Sequence, residues 1–193
     1  MHVRLAQEAD TPAMARVMVD TYMRAHKGQI PEEVWLKRRE EWTYQVSEQA
    51  WARTLRDIAD GSSPRECVYL AIDTPTGEAG DQIVGIVMGG PAEVGPWEHA
   101  GDIYALYVRF DRQRRGVGRH LLGAAANHLS QLGMTALIIR SLPANTPANR
   151  FYESLGGQII GECEVEEYGY RILERIYGWA DSSLLLDKRI EPT

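Results

Sequence analysis

Residues 109–119 hold five arginines and two glycines, a concentration suited to holding a polyanion. Within them, Gln113-Arg114-Arg115-Gly116-Val117-Gly118 follows an apolar run, Asp102-Ile-Tyr-Ala-Leu-Tyr-Val108, that reads as a strand. The same segment opens a stretch where Val117, Leu121, Ala125 and Leu129 recur every four residues, the spacing of one helix face. Strand, tight turn and helix start together present free backbone N–H groups to an anion. Glycines let the turn form and let a ligand approach the main chain. Arg109, Arg112, Arg114, Arg115 and Arg119 add forked donors that match a pair of phosphate oxygens. The arrangement predicts a diphosphate or a similar small polyanion as ligand.

No G-x-x-x-x-G-K-[ST] run occurs, and the glycine spacing is not G-x-G-x-x-G, so neither a P-loop nor a dinucleotide fingerprint fits. What the loop resembles is the acetyl-CoA pyrophosphate loop of the GNAT superfamily of N-acetyltransferases, [QR]-x-x-G-x-[GA] after a central strand. A second segment, Asn145-Thr-Pro-Ala148-Asn-Arg-Phe151-Tyr152-Glu153-Ser-Leu-Gly156, is similar to that family's N-x-x-A-x-x-F-Y-E-x-x-G. It falls directly after the next apolar run, Thr135-Ala-Leu-Ile-Ile139. The resemblance spans Val3 to about Trp179 and rests on element order alone in the first hundred residues.

The resemblance implies acetyl-CoA as cosubstrate and acetyl transfer to an amine by direct attack in a ternary complex. A primary amine has a pKa near 10.4, so about one in a few thousand is neutral at pH 7, a cost of roughly 4–5 kcal/mol. A general base can recover part of that, and an acid must protonate the leaving thiolate. By position the acid is Tyr152, which could also be an amphipathic tyrosine packed on the sheet. Asp102 stands where some family members carry a catalytic glutamate; it acts through water as the base or simply starts the strand. Gln113, Arg114, Arg115, Gly116, Val117, Gly118 and Arg119 would hold the diphosphate. Leu106, Tyr107 and Val108 would offer main-chain groups to the pantetheine arm, and Asn145 would bond that arm or serve as a turn residue. Two positions depart from the family pattern: Phe110 where proline is common, and Gly157 where an aromatic residue usually follows Gly156. The alternative function is a catalytically silent acyl-CoA-binding sensor or interaction module.

The elements that must position these residues follow in one order. Val3 to Leu5 reads as a strand. A helix starts at Asp10-Thr-Pro12 with Met14, Val17, Met18 and Tyr22 inward. One or two helical stretches fill 30–60, broken near Thr43. Cys67 to Asp73 and Gln82 to Gly89 form a hairpin pair joined by the turn-rich Thr74 to Gly80, and Gly90 to Trp97 is a loop. A helix over 116–132 ends at Gly133, Thr146 caps the next with Pro147 in its first turn, and strands 158–167 and 170–179 meet at Tyr168-Gly169. With the resemblance, this predicts one mixed α/β domain over 1–193, of α+β type, with a mostly antiparallel, splayed sheet of about seven strands and helices on both faces.

Composition sets the surrounding limits. In a chain of 193 residues with net charge −6, the arginine cluster is a basic island, which argues for a small anion and against a nucleic-acid surface. Cys67 and Cys163 make no disulfide framework, and with no apolar leader or membrane-length run the expected place is the cytoplasm. The histidines lack metal-ligand spacing, so no metal is expected. Glu162, Glu164 and Glu166 share one strand face, either a solvated face or an electronegative wall for a cation. Tyr22 to Trp35 falls where the family's variable loop borders the acceptor site, or packs on itself. The acceptor is a small-molecule amine or a peptide or protein amine, and a homodimer stays open.

Overall fold

Helices and strands form where the apolar period predicts them, with small shifts at the ends. The computed structural model describes residues 1–74, 82–92 and 100–186. In chain order the elements are β1 (His2–Leu5), α1 (Thr11–His26), α2 (Glu32–Glu41), α3 (Tyr44–Ala59), β2 (Cys67–Asp73) and β3 (Gln82–Pro91). Then come β4 (Gly101–Val108), α4 (Val117–Gln131), β5 (Leu137–Ser141), α5 (Thr146–Ser154), β6 (Gln158–Glu167) and β7 (Tyr170–Trp179). The break expected near Thr43 makes two helices: the Thr43 hydroxyl accepts the Val46 N–H at 3.2 Å and caps α3. Thr146 is not the cap of α5. Asn145 is, its side chain taking the Ala148 N–H, while Pro147 sits in the first turn where its missing N–H costs nothing. Gly90 and Pro91 extend β3 rather than opening the loop; the rest of that loop beyond Ala92, and the turn after Thr74, lie outside the described residues.

The seven strands form one sheet in the order β1-β2-β3-β4-β5-β7-β6. Every neighbouring pair is antiparallel except β4 and β5, which run parallel. α4 and α5 cover one face through Val117, Leu121, Ala125, Leu129 and Tyr152. The other face is closed by α1 and α3, with Met14, Val17, Trp51 and Leu55 against Val68, Leu70 and Ile86. Helix α2 lies apart, its Val34 joining Ile30, Leu142 and Ile172 beside the β6–β7 hairpin.

One irregularity sets up the site. β4 and β5 pair only at Gly101↔Leu137, Asp102↔Ile138 and Ile103↔Ile139. Next to that point the β3–β4 register slips between Met88 and Gly89, leaving Tyr104 as the extra residue of a bulge. From Ala105 to Val108, β4 keeps β3 as its partner and has none on the β5 side. Strands that part company leave main-chain donors and acceptors facing a gap, and something else must answer them. No helix among the described residues is long and apolar enough to cross a membrane.

Candidate active site

The arginine-glycine loop connects β4 to α4 through a short turn at Phe110–Arg112. Gly116 stands at the helix start with φ of 84°, a left-handed conformation that a side chain strains, and Arg114 shares it at 61°. No side chain caps this end, and the first helical hydrogen bond is donated by His120 to the Gly116 carbonyl, so the N–H groups of Val117, Gly118 and Arg119 have no partner within the helix. A methyl group at Gly118 would meet the Phe151 ring at 3.1 Å, so that glycine brings α4 against α5.

The arginines divide into two sets. Arg109 bonds Asp111 and Gln82, and Arg112 bonds Asp73 and Asp111, so both fasten the turn to the sheet rather than standing ready for a ligand. Arg114, Arg115 and Arg119 are exposed around the helix start. Gln113 turns its amide back to the Val108 carbonyl at 3.0 Å, which holds the strand end in place. Phe110, the first departure from the family pattern, lies under the Arg24 guanidinium at 4.1 Å.

Inside the strand gap lies a cavity of about 320 Å³. Leu106 and Tyr107 of β4, Asn145 and Tyr152 all line it; Val108 does not. Tyr152 is buried to 6% exposure, with Tyr177 at 5.5 Å and Trp179 edge-on at 6.3 Å. Its hydroxyl makes no hydrogen bond among the described residues, and burial raises its pKa above the ordinary phenol value. Gly157, the second departure, is explained by the same packing: a methyl group there would stand 2.7 Å from the Trp179 ring, which takes the place an aromatic side chain would fill. Trp179 is fixed by its indole N–H on the Leu155 carbonyl at 3.0 Å.

Asp102 is 5% exposed and lies behind the cavity wall, its Oδ2 taking the Arg140 guanidinium at 3.1 Å. Its carboxylate is engaged across the β4–β5 junction at the start of β4, and Arg140 is the member of the pair that lines the cavity. Glu162 and Glu164 point outwards to Arg175 and Arg171, the solvated alternative, and Glu166 is exposed beside them. The carboxylates that do line the cavity are Glu167 and Glu174. Arg38 of α2 donates to Glu167, and Tyr168 donates to Glu41 at 2.6 Å, so α2 is clasped to the β6–β7 hairpin. Tyr22, His26 and Ile30 form the wall opposite. Burial, then Glu167, pushes the Tyr22 hydroxyl up to about 12, and burial lowers His26, so the stacked pair stays uncharged near neutral pH. Trp35 instead bonds the Met23 carbonyl and packs locally.

Sequence reasoning missed Arg38, Arg140, Glu167 and Glu174. A signal existed for one: Glu174 alternates with Ile172 and Ile176, which places its carboxylate on the inward face of β7. No group of acidic, histidine and cysteine side chains that could hold a metal occurs among the described residues.

The chain's sequence matches the Acetyltransferase (GNAT) family over residues 31–157. It is 29% identical over 184 residues to the uncharacterized N-acetyltransferase YuaI of Bacillus subtilis (strain 168), covering 95% of each chain. The fold superposes with a TM-score of 0.65 on a ribosomal-protein-alanine N-acetyltransferase from Brucella melitensis, at 20% identity, over 93% of this chain and 99% of that one. A phosphinothricin acetyltransferase from Sinorhizobium meliloti in complex with acetyl-CoA gives 0.66 at 15% identity, over 100% and 92%. The protein belongs to the GNAT acetyltransferase family.

Proposed function

From that membership we propose that the whole chain, 1–193, acts as one unit that moves the acetyl group of acetyl-CoA to a primary amine by direct attack in a ternary complex. The observation that carries this reading is the strand gap with Tyr152 in its wall and the uncapped start of α4 close in sequence beyond β4. The residues fit the cosubstrate. The free N–H groups at Val117 to Arg119, with Arg114 and Arg115 beside them, would hold the diphosphate, and the unpaired side of β4 at Leu106 and Tyr107 would hold the pantetheine amides. Asn145, although it caps α5, keeps its place in the cavity wall and would contact the same arm.

Each side chain then has a defined task. Main-chain N–H groups of β4 polarise the thioester carbonyl. Tyr152, kept protonated by its burial, gives a proton to the departing sulfur. Asp102 holds the Arg140 guanidinium in the wall and so sets the charge that the acceptor meets. The acceptor amine enters between α1, α2 and the β6–β7 hairpin.

Two measurements test this. Calorimetry should give micromolar or tighter binding of acetyl-CoA, and a panel of amines should elicit thiol release with at least one member. Binding without thiol release from any amine would favour a catalytically silent acyl-CoA-binding module.

A further inference from the structure

Four charged side chains line the cavity: Arg38, Arg140, Glu167 and Glu174. Three are already answered, Arg38 and Glu167 by one another and Arg140 by Asp102. Glu174 makes neither a hydrogen bond nor an ion pair among the described residues. It stands between buried Ile172 and partly buried Ile176 on β7, in a lining that also holds Ile103, Leu106, Ile139 and Leu142. A half-buried carboxylate without a partner is costly, and folds keep such groups where a ligand will supply the missing charge.

We propose that Glu174 receives the acceptor's ammonium group and removes its proton, and that it thereby selects a singly charged primary amine carried on an uncharged stem. The inference rests on the acetyl-transfer reading above. With Arg38 and Arg140 each balanced, the lining offers one negative charge to an incoming acceptor. An amino acid's carboxylate would find both guanidiniums taken, and a second ammonium would find no second open carboxylate. Apolar contact with Ile103, Ile139 and Leu142 suits an apolar stem.

The proton count closes. Glu174 takes one proton from R–NH3⁺, and the freed nitrogen pair forms the C–N bond at the thioester carbon. The C–S bond breaks as the carbonyl re-forms, and the sulfur takes the Tyr152 proton. Tyr152 is reprotonated by the second proton that nitrogen loses, and the proton on Glu174 passes to solvent. The products are the amide, the thiol and one H⁺.

Charged and titratable groups face Glu174 from every side: Arg140 and Asp102 from β5 and β4, Glu167 and Cys163 from β6, Arg38 from α2, Tyr22 and His26 from α1, Tyr107 and Tyr152 across the gap. Burial raises the Glu174 pKa first of all; Arg140 opposes this and Asp102 and Glu167 add to it. A carboxylate raised in this way is a stronger base for the same geometry.

The test compares wild type with Glu174→Gln, measuring thiol release from acetyl-CoA against pH with tyramine, tyrosine and spermidine, and tyramine binding in the presence of CoA. Wild type should prefer tyramine to tyrosine and to spermidine by at least about tenfold in kcat/KM, the scale on which an unanswered charge is rejected. The Gln variant should bind acetyl-CoA normally, lose about 10²–10³ of kcat/KM with tyramine at neutral pH, and recover part of it as alkali frees the amine. Equal activity of the two proteins at every pH overturns the assignment, and a preference for tyrosine or spermidine overturns the acceptor class. If wild type binds acetyl-CoA but releases no thiol, the transfer reading falls, and tyramine binding still decides Glu174: loss in Glu174→Gln supports it and equal binding refutes it. Should Gln disturb the sheet by circular dichroism, Glu174→Asp keeps the charge one methylene back, and unchanged turnover there would also count against it.

Discussion

Around the start of α4, Arg114, Arg115 and Arg119 stand in solvent with free main-chain N–H groups between them; within the cavity, Arg38 and Arg140 are each held by a carboxylate under partial burial. The first region can leave its charges open because water stabilises them. The second cannot, since a charge withdrawn from water must be paired or it weighs on the fold. The contrast gives the one exception its meaning. Glu174 breaks the pairing rule in the region where breaking it is expensive, whereas an unpaired arginine at the loop breaks no rule.

The largest expected effect separates the two regions. Tyr152→Phe removes one proton donor from the cavity and leaves the loop untouched, so kcat should fall by about 10²–10⁴ while acetyl-CoA affinity holds. Steady-state kinetics with calorimetry would check both. A fall in affinity of similar size would mean that the cavity and the loop do not act separately.

Next comes the loop's backbone. A side chain at Gly116 finds room, with His120 the nearest atoms at 3.5 Å, but it must adopt φ of 84°. Left-handed backbone costs an L-residue roughly 1–2 kcal/mol, and more for a β-branched one, so Gly116→Val should weaken acetyl-CoA binding tenfold or more. Thermal melting should move far less than affinity, because the substitution lies in an exposed turn. A smaller effect is expected from Arg115→Ala, a few-fold in affinity that fades as salt screens the exposed charge. A salt-independent loss there would place Arg115 in a desolvated contact, more like the cavity than the loop.

The same contrast decides what could be read before folding. The loop is contiguous: strand, glycine turn and helix follow one another, so the left-handed Gly116, the uncapped helix start and the exposed Arg114, Arg115 and Arg119 are all set by local spacing. The break at Thr43 and the chain reversal at Tyr168-Gly169 were legible for the same reason, since caps and turns act over three or four residues. The cavity joins Arg38, Arg140, Glu167 and Glu174 from four separate elements, and no local pattern says which strands will lie side by side. Asp102 shows the difficulty best. Its position in the chain marked it as either a water-bridged base or a strand-start residue, and its pairing partner sits on β5, a strand that follows β4 in the chain only after helix α4. Only the register Asp102↔Ile138 brings Arg140 within reach. Arg109 and Arg112 were harder to sort from sequence: five arginines in one segment look alike until Asp73 and Asp111 pair with two of them.

The smallest effect sharpens the comparison most, because it asks what Glu174 costs when no substrate is present. Burial raises its folded pKa above the value it has in the unfolded chain. A carboxyl shifted in that direction favours folding when protonated: the contribution is complete below the unfolded pKa and is lost as pH rises through the folded one. At neutral pH the ionised Glu174 therefore weighs against the fold, and glutamine, neutral throughout, should relieve it. We expect Glu174→Gln to raise the melting temperature at pH 7 by roughly 1–3 °C, the scale of a sub-kcal/mol change in a chain of this size. The gain should disappear below about pH 4, where the wild-type carboxyl is itself protonated. Glu162→Gln is the control, on an exposed carboxylate facing Arg175, and should change melting little at either pH. A gain from Glu174→Gln that is equal at both pH values would reflect packing rather than charge. A loss at pH 7 would mean that Glu174 has a partner in the folded protein, and the cavity would then obey the pairing rule without exception.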